Sequence, residues 1–149
     1  MLFRDTAEGI HRLEIAHTNT YLVETGDRLL VIDAGLPAAW PHLQLAVHDL
    51  GYTPDRVEGL LLTHGHFDHV GTAARMHRDW GTPVFVHPGD RHLAAHPYSY
   101  RPQANRFGFV ALHPGGLRPL GRMLLAGAAT VDGIADTEPL ENRADAVSY

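Results

Sequence analysis

The stretch LLLTHGHFDHVG, residues 60–71, places four potential metal ligands directly after an apolar run. The ligands are His64, His66, Asp68 and His69, and imidazole and carboxylate groups suit zinc and related divalent cations. On an extended loop, His64 and His66 point to the same side and grip one ion. Asp68 and His69 lie where a helix begins, so they face a neighbouring ion. The pattern therefore predicts a site for one or two cations.

Chance is the alternative explanation of this pattern. The chain has 12 His among 149 residues, so pairs of His also occur on ordinary solvated loops. The position of the pattern favours a metal site, because ligands of α/β proteins bind at the carboxyl ends of strands.

The flanking sequence alternates apolar strand patterns with helical ones, which predicts an α/β (α+β) fold. Helices are predicted over Ala38–Leu50 and Asp68–Trp80, with a weaker one from Leu117 to Ala128. The predicted strands are Gly9–Ile15, Asn19–Thr25, Leu29–Ile32, Leu60–Leu62 and Val84–Val86. A length of 149 residues predicts a single domain.

Composition excludes several classes of protein. The net charge is −5, all 12 basic residues are Arg, and they form no cluster, so no nucleic-acid partner is expected. No apolar run approaches the length of about 18 residues needed to span a membrane. Arg4, Asp5 and Glu8 interrupt the start of the chain where a signal peptide would be apolar, which predicts a cytoplasmic protein. The absence of Cys excludes thiolate ligands and a Cys nucleophile.

The segment THGHFDHVG, with NTYLVETGDRLLVIDAGLP before it and GTPVFVHPGD after it, resembles the metallo-β-lactamase fold superfamily. The resemblance implies an αββα sandwich in which His64 and His66 belong to a first metal site and Asp68 and His69 to a second. It also places Asp33 beside the site, where it orients a ligand. The alternative is that Asp33 is a turn residue that ends a strand.

The resemblance further implies a metal-dependent hydrolase of small-molecule substrates. Zinc is the expected metal, with iron or manganese as alternatives. Metal-activated water would attack an ester, thioester, lactone or phosphodiester, and Asp68 would act as the catalytic residue that holds this water and accepts its proton.

The sequence departs from the family pattern in its second half. A complete site needs a third His, a bridging Asp and a final His, yet no His follows His113, and Asp132, Asp136 and Asp145 lack the family context. We therefore expect residues 1–129 to form a truncated, incomplete domain of this family and residues 130–149 to form an acidic, poorly ordered tail. Ancestry favours a metal-dependent hydrolase, while the absent third-His, bridging-Asp and final-His motifs leave the competence of this chain open.

Two alternatives to an active hydrolase stay open. One is a catalytically inactive remnant. The other is a non-enzymatic module whose exposed half-sheet binds a partner, and a homo-oligomer that covers this sheet face belongs to the same prediction.

The remaining candidates are weaker. His87 and His113 are possible substitutes for a third ligand, and His92 and His96 are spaced for adventitious metal binding. Other His side chains are expected at the surface or in packing, namely His42, His48 and His77. A long loop either lines a substrate entrance or is an ordinary polar loop; its residues of interest are Tyr98, Tyr100, Arg101 and Arg106.

Overall fold

A computed structural model describes residues 1–99 and 117–140 of the chain. Within them the strands form one seven-stranded sheet whose spatial order follows the chain order. The strands are β1 (Leu2–Ala7), β2 (Ile10–Ile15), β3 (Thr18–Glu24), β4 (Leu29–Ile32), β5 (Val57–Leu62), β6 (Val84–Val86) and β7 (Glu138–Pro139).

The sheet changes direction in its middle. β1 to β4 pair antiparallel, whereas β4 to β7 pair parallel. Parallel strands end at one edge of a sheet, so the residues that follow β4, β5 and β6 lie along the same edge. The candidate ligands follow β5 and therefore lie at this edge.

The helices cover one face of the sheet. They are α1 (Trp40–Asp49), α2 (Phe67–Val70), α3 (Ala73–Arg75), α4 (Arg91–Ala95) and α5 (Leu117–Leu125), and α3 continues into a π-helical turn over Met76–Trp80. The apolar face of α1 is buried, and the Trp40 ring lies 4.8 Å from the Trp80 ring. The core between helices and sheet includes Leu22, Val31, Leu60 and Val84.

The predicted continuous helix over Asp68–Trp80 is wrong in one respect, because the structure interrupts it at Gly71 and Thr72. After α2, the Gly71 amide donates to the Gly35 carbonyl at 2.8 Å, and the Thr72 hydroxyl donates to the Ala34 carbonyl at 2.8 Å. These bonds to the loop after β4 take the place of bonds within a helix, so the helix is interrupted here.

The opposite face of the sheet carries apolar side chains that are only half-buried. Register places them side by side across four strands. The Phe85 ring lies over Gly59, where an added Cβ would come within 3.0 Å of it. The members of this face are Tyr21, Val23, Leu30, Ile32, Leu61 and Phe85. A homo-oligomer that covers this face stays a prediction.

The mixed α/β class is confirmed, with two differences at the ends. β1 was not predicted, because its polar residues give no strand pattern. Residues 130–140, predicted to be poorly ordered, are packed in place: Val131 and Ile134 are buried, and β7 pairs with β6. Backbone bonds from Ile134 to Ala94 and from Leu140 to Val86 also hold this segment. The boundary at 129/130 stays a prediction, and residues 141–149 lie outside the described part.

None of the helices in the described ranges is both long and apolar enough to cross a bilayer.

Candidate metal centre

Asp33 and Thr63 occupy equivalent positions after neighbouring parallel strands, and they are joined by hydrogen bonds. Asp33 follows β4 and is 6% exposed, and Thr63 follows β5. The Thr63 amide donates to Asp33 Oδ1 at 2.8 Å, and the Thr63 hydroxyl lies 2.8 Å from Oδ2 and 3.0 Å from Oδ1. Asp33 has a φ of 59°, a left-handed conformation that Asp and Asn adopt more readily than other non-glycine residues. The bonds to Thr63 help to hold its carboxylate in place.

The Thr63 hydroxyl also contacts the first candidate ligand. Its oxygen lies 2.9 Å from Nδ1 of His64. Because a carboxylate only accepts hydrogen bonds, the single hydroxyl proton of Thr63 goes to Asp33, and the hydroxyl oxygen accepts from Nδ1–H of His64. This assignment leaves the lone pair of His64 on Nε2, the tautomer that a cation can bind.

Asp33 also contacts the ring of His69. Oδ2 of Asp33 lies 2.8 Å from Nδ1 of His69. Nδ1 is buried, and the two side chains form an ion pair when His69 is protonated. The other ring nitrogen, Nε2, lies 3.5 Å from Oδ2 of Asp68. One carboxylate therefore orients both His64, through Thr63, and His69, directly.

Three donors converge in front of this support. One ligand atom from each of His64, Asp68 and His69 lies within 4.8 Å of the others. Two donors of one tetrahedral zinc lie about 3.4 Å apart, given zinc–ligand distances of about 2.1 Å. The 3.5 Å separation of His69 Nε2 and Asp68 Oδ2 matches that value. The donor set and its spacing therefore fit a divalent cation of the zinc type.

His66 lies next to these donors without belonging to the group of three. Its ring centroid is 4.6 Å from that of His64, and the two rings are nearly perpendicular. His64 is closer to His69, with a centroid separation of 3.9 Å. The group of three thus combines members of both predicted pairs, and the division into two metal sites stays a prediction.

The surroundings move the two His pKa values in opposite directions. Burial lowers the pKa of His64, and the neighbouring rings of His69 and His66 lower it further. Burial also acts to lower the pKa of His69, but the close Asp33 carboxylate and the charge of Asp68 outweigh it, so the pKa of His69 is raised. Without metal, a proton therefore binds His69 more readily than His64.

Two glycines allow the metal-ligand segment to pass close to its neighbours. A Cβ at Gly71 would lie 2.3 Å from the Gly35 carbonyl oxygen, and one at Gly65 would lie 2.5 Å from the Ala94 amide nitrogen. Gly71 has a φ of −56°, which any residue adopts. Space, and not a special turn conformation, requires glycine at position 71.

Other candidates lie outside the group of three. Asp136 lies 3.2 Å from His77, and Asp132 lines a separate groove with His96. Nδ1 of His87 accepts a bond from Gly89, and the ring of His92 on α4 is 5.1 Å from that of His96, which follows the helix. The candidates outside the described residues are Tyr100, Arg101, Arg106, His113 and Asp145.

Sequence reasoning missed Thr63. A hydroxyl residue directly before His64, at the end of a strand next to the one that ends in Asp33, was the available signal. Its role depends on a contact between residues 30 positions apart, which requires the parallel pairing of β4 with β5.

Comparison with known protein sequences finds one family and several relatives that match this chain. The family model of the metallo-beta-lactamase superfamily matches residues 14–144. The chain is 28% identical over 86 residues to the probable metallo-hydrolase YflN of Bacillus subtilis, which covers 56% of this chain and 33% of YflN. It is 30% identical over 77 residues to the probable metallo-hydrolase YqgX of the same organism, and this alignment covers 52% of this chain and 34% of YqgX.

A solved structure shows the same fold. A HARLDQ-motif mutant of the metallo-beta-lactamase from Cronobacter sakazakii superposes with a TM-score of 0.58 at 24% identity, over 64% of this chain and 37% of that one. The chain thus spans about a third of the length of the curated relatives it matches. The extent of the family match shows that this chain belongs to the metallo-β-lactamase superfamily.

Proposed function

We propose that the chain is a metal-dependent hydrolase that holds zinc through His64, His66, Asp68 and His69. The observation that carries the proposal is that donor atoms of His64, Asp68 and His69 lie within 4.8 Å of one another. The buried carboxylate of Asp33 contacts the ring of His69 directly and the ring of His64 through Thr63. Matches to probable metallo-hydrolases support the reaction class.

The chain's own residues divide the work. Asp33 and Thr63 orient the rings of His64 and His69, so that neither ring loses much rotational freedom when a ligand binds. A divalent cation bound there supplies a Lewis acid, which lowers the pKa of a water and polarises a carbonyl oxygen. A carboxylate oxygen of Asp68 accepts a proton from water as the water oxygen adds to the carbonyl carbon of the ester. Asp68 then returns this proton to the leaving oxygen when the ester bond breaks.

Metal content tests the first part of the proposal. We expect close to one equivalent of zinc per purified chain, and a strong loss in His64→Ala, His66→Ala and His69→Ala. His48→Ala is the matched control, because the side chain of His48 is 88% exposed on α1. Less than about a tenth of an equivalent of zinc, iron or manganese in the parent chain would overturn the metal site.

Hydrolysis tests the second part. The zinc-loaded chain is expected to cleave p-nitrophenyl butyrate faster than His64→Ala does, and chelation should abolish the difference. A chain that binds zinc in the expected way but cleaves no faster than His64→Ala supports the inactive remnant. The described residues favour this alternative in one respect: the acidic residues of the 117–140 segment contribute nothing to the group of three donors.

A non-enzymatic module is the other alternative, and the half-buried apolar sheet face is the observation that favours it. Its predicted occupant is a second copy of the chain. Light scattering distinguishes the two: a monomer at micromolar concentration counts against the module, and a dimer that binds no metal counts against the hydrolase.

A further inference from the structure

A cleft of about 500 Å³ opens beside the candidate metal ligands. Its size is that of a small-molecule site. His66 and Asp68 lie at one end, and the rest of its wall is mainly apolar. The apolar wall includes Phe67, Tyr98, Leu120, Met123 and Leu124.

Two aromatic rings form the wall next to His66 and Asp68. The rings of Phe67 and Tyr98 are stacked, with centroids 6.2 Å apart and planes at 16°. The Tyr98 hydroxyl donates to the Ala128 carbonyl at 3.0 Å and accepts from the Val131 amide at 2.7 Å. Because both hydroxyl bonds go to backbone, the Tyr98 ring is fixed in position before any ligand enters.

Helix α5 supplies a further part of the wall. Leu120 and Leu124 line the cleft although they are 41% and 52% exposed, respectively. Leu125 is next to Leu124 in sequence but is 91% exposed and does not line the cleft. An apolar ligand in the cleft would remove the exposed surface of Leu120 and Leu124 from water, which is favourable.

The charge of the cleft restricts the ligand further. No Arg is among the described residues that line it, and the chain contains no Lys. Sites for phosphate or carboxylate groups usually supply a cationic side chain to pair with the anion. In the metal-free chain, the Asp68 carboxylate at the polar end acts against an anionic ligand as well. This end suits an uncharged carbonyl group better than a phosphodiester.

We propose that this cleft binds the apolar acyl or alkyl group of an uncharged carboxylic ester or lactone, with the carbonyl directed to the His66 and Asp68 end. The proposal rests on the proposed hydrolase function for the reaction but concerns ligand recognition alone. Because no cationic side chain is among the described lining residues, the proposal ranks uncharged esters and lactones above phosphodiesters.

Binding of uncleaved ligands tests the proposal without requiring activity. The probes are butanamide, hexanamide and octanamide, titrated against the metal-free chain by ligand-observed NMR. We expect the dissociation constant to fall about fourfold for each added methylene group that enters the cleft. An affinity that does not change with chain length would overturn the proposal, and so would the absence of binding by all three amides.

A pair of neighbouring variants tests the location. Leu124→Asn is expected to weaken octanamide binding about five- to tenfold, whereas Leu125→Asn on the same helix leaves it unchanged. Both side chains are at least half exposed, so both variants are expected to fold, which thermal melts can check. Equal binding by the two variants would overturn the assignment to this cleft. If Leu124→Asn does not fold, Leu120→Asn takes its place.

A charged analogue tests the preference for uncharged ligands. Dibutyl phosphate is expected to bind the metal-free chain at least tenfold more weakly than octanamide, and tighter binding of the phosphate diester would overturn the preference. A chain that binds octanamide as expected but holds no zinc refutes the hydrolase and leaves the cleft assignment intact. Zinc binding together with an amide affinity that does not depend on amide length refutes the cleft assignment and leaves the hydrolase intact.

Discussion

Nδ1 of His69 and Oδ2 of Asp33 lie 2.8 Å apart, which connects the end of β4 to the helical turn that follows β5. The same carboxylate holds the Thr63 hydroxyl, and this hydroxyl contacts Nδ1 of His64. Two candidate metal ligands therefore depend on one buried acidic side chain. The first three predictions follow from this dependence.

Asp33→Asn is expected to weaken zinc binding about 10- to 100-fold, because residues that orient metal ligands contribute on this scale. Asn adopts a left-handed φ readily, so the backbone at this position should persist. Competition with a chromogenic chelator measures the zinc affinity. Asp132→Asn, at an exposed position away from the group of three donors, is the control; equal affinities of the two variants would refute the role of Asp33.

Thr63→Val removes the hydroxyl while it keeps the shape of the side chain. His64 then lacks the acceptor that fixes its tautomer, and zinc affinity should fall about tenfold. Thr63→Ser keeps the hydroxyl and should restore most of the affinity. The chelator assay applies again, and a Ser variant as weak as the Val variant would mean that packing, and not the hydroxyl, matters here.

The two His residues should titrate differently in the metal-free chain. NMR of the ring protons in the presence of a chelator should show His69 with a pKa above the ordinary value of about 6.5 and His64 with one below it. A raised pKa in the folded state means that protonation of His69 stabilises the fold. This contribution is fully present below the ordinary pKa and is lost as the pH rises through the raised value.

Asp33→Asn provides the control for this titration. It removes the carboxylate that raises the pKa of His69, so the His69 value should fall in the variant while the chain stays folded. A His69 pKa that does not respond to Asp33→Asn would contradict the contact seen between the two side chains.

Gly71→Ala should lower the free energy of unfolding by about 3 kcal/mol, the upper part of the range for overpacking, because its Cβ would meet the Gly35 carbonyl oxygen and not a movable side chain. Gly121→Ala is the matched control, since a Cβ at Gly121 meets nothing within 4 Å on a helix. That change should stabilise by about 0.5–1 kcal/mol. Urea denaturation measures both, and similar effects of the two substitutions would refute the close approach at Gly71.

The sequence predicted the elements whose patterns are local. The apolar run Leu29–Ile32 and the helix from Ala38 to Leu50 match β4 and α1 within a few residues. The ligand segment was recognised because its residue types are unusual in such a short stretch. Asp33 was assigned a supporting role only through the family resemblance, and the structure places its carboxylate in contact with Thr63 and His69.

What the sequence did not predict depends on contacts between distant segments. β1 forms although Arg4, Asp5 and Thr6 give no strand pattern, because its pairing with β2 supplies backbone bonds whatever the side chains are. The helix after the ligand segment is interrupted because Gly71 and Thr72 bond to the loop after β4. That loop, at Ala34 and Gly35, is too far from residue 71 in the sequence for a local pattern to reveal the contact.

The contact between the backbones at Gly35 and Gly71 also has a consequence for motion. The amide of Gly71 is bonded to the Gly35 carbonyl and no side chain separates the two segments, so one segment cannot swing outward without displacing the other. Hydrogen–deuterium exchange at the Gly71 and Thr72 amides should accordingly slow when the ligand segment is ordered by a cation, although neither residue supplies a donor to it. We therefore expect the two segments to open and close together, as one cooperative unit.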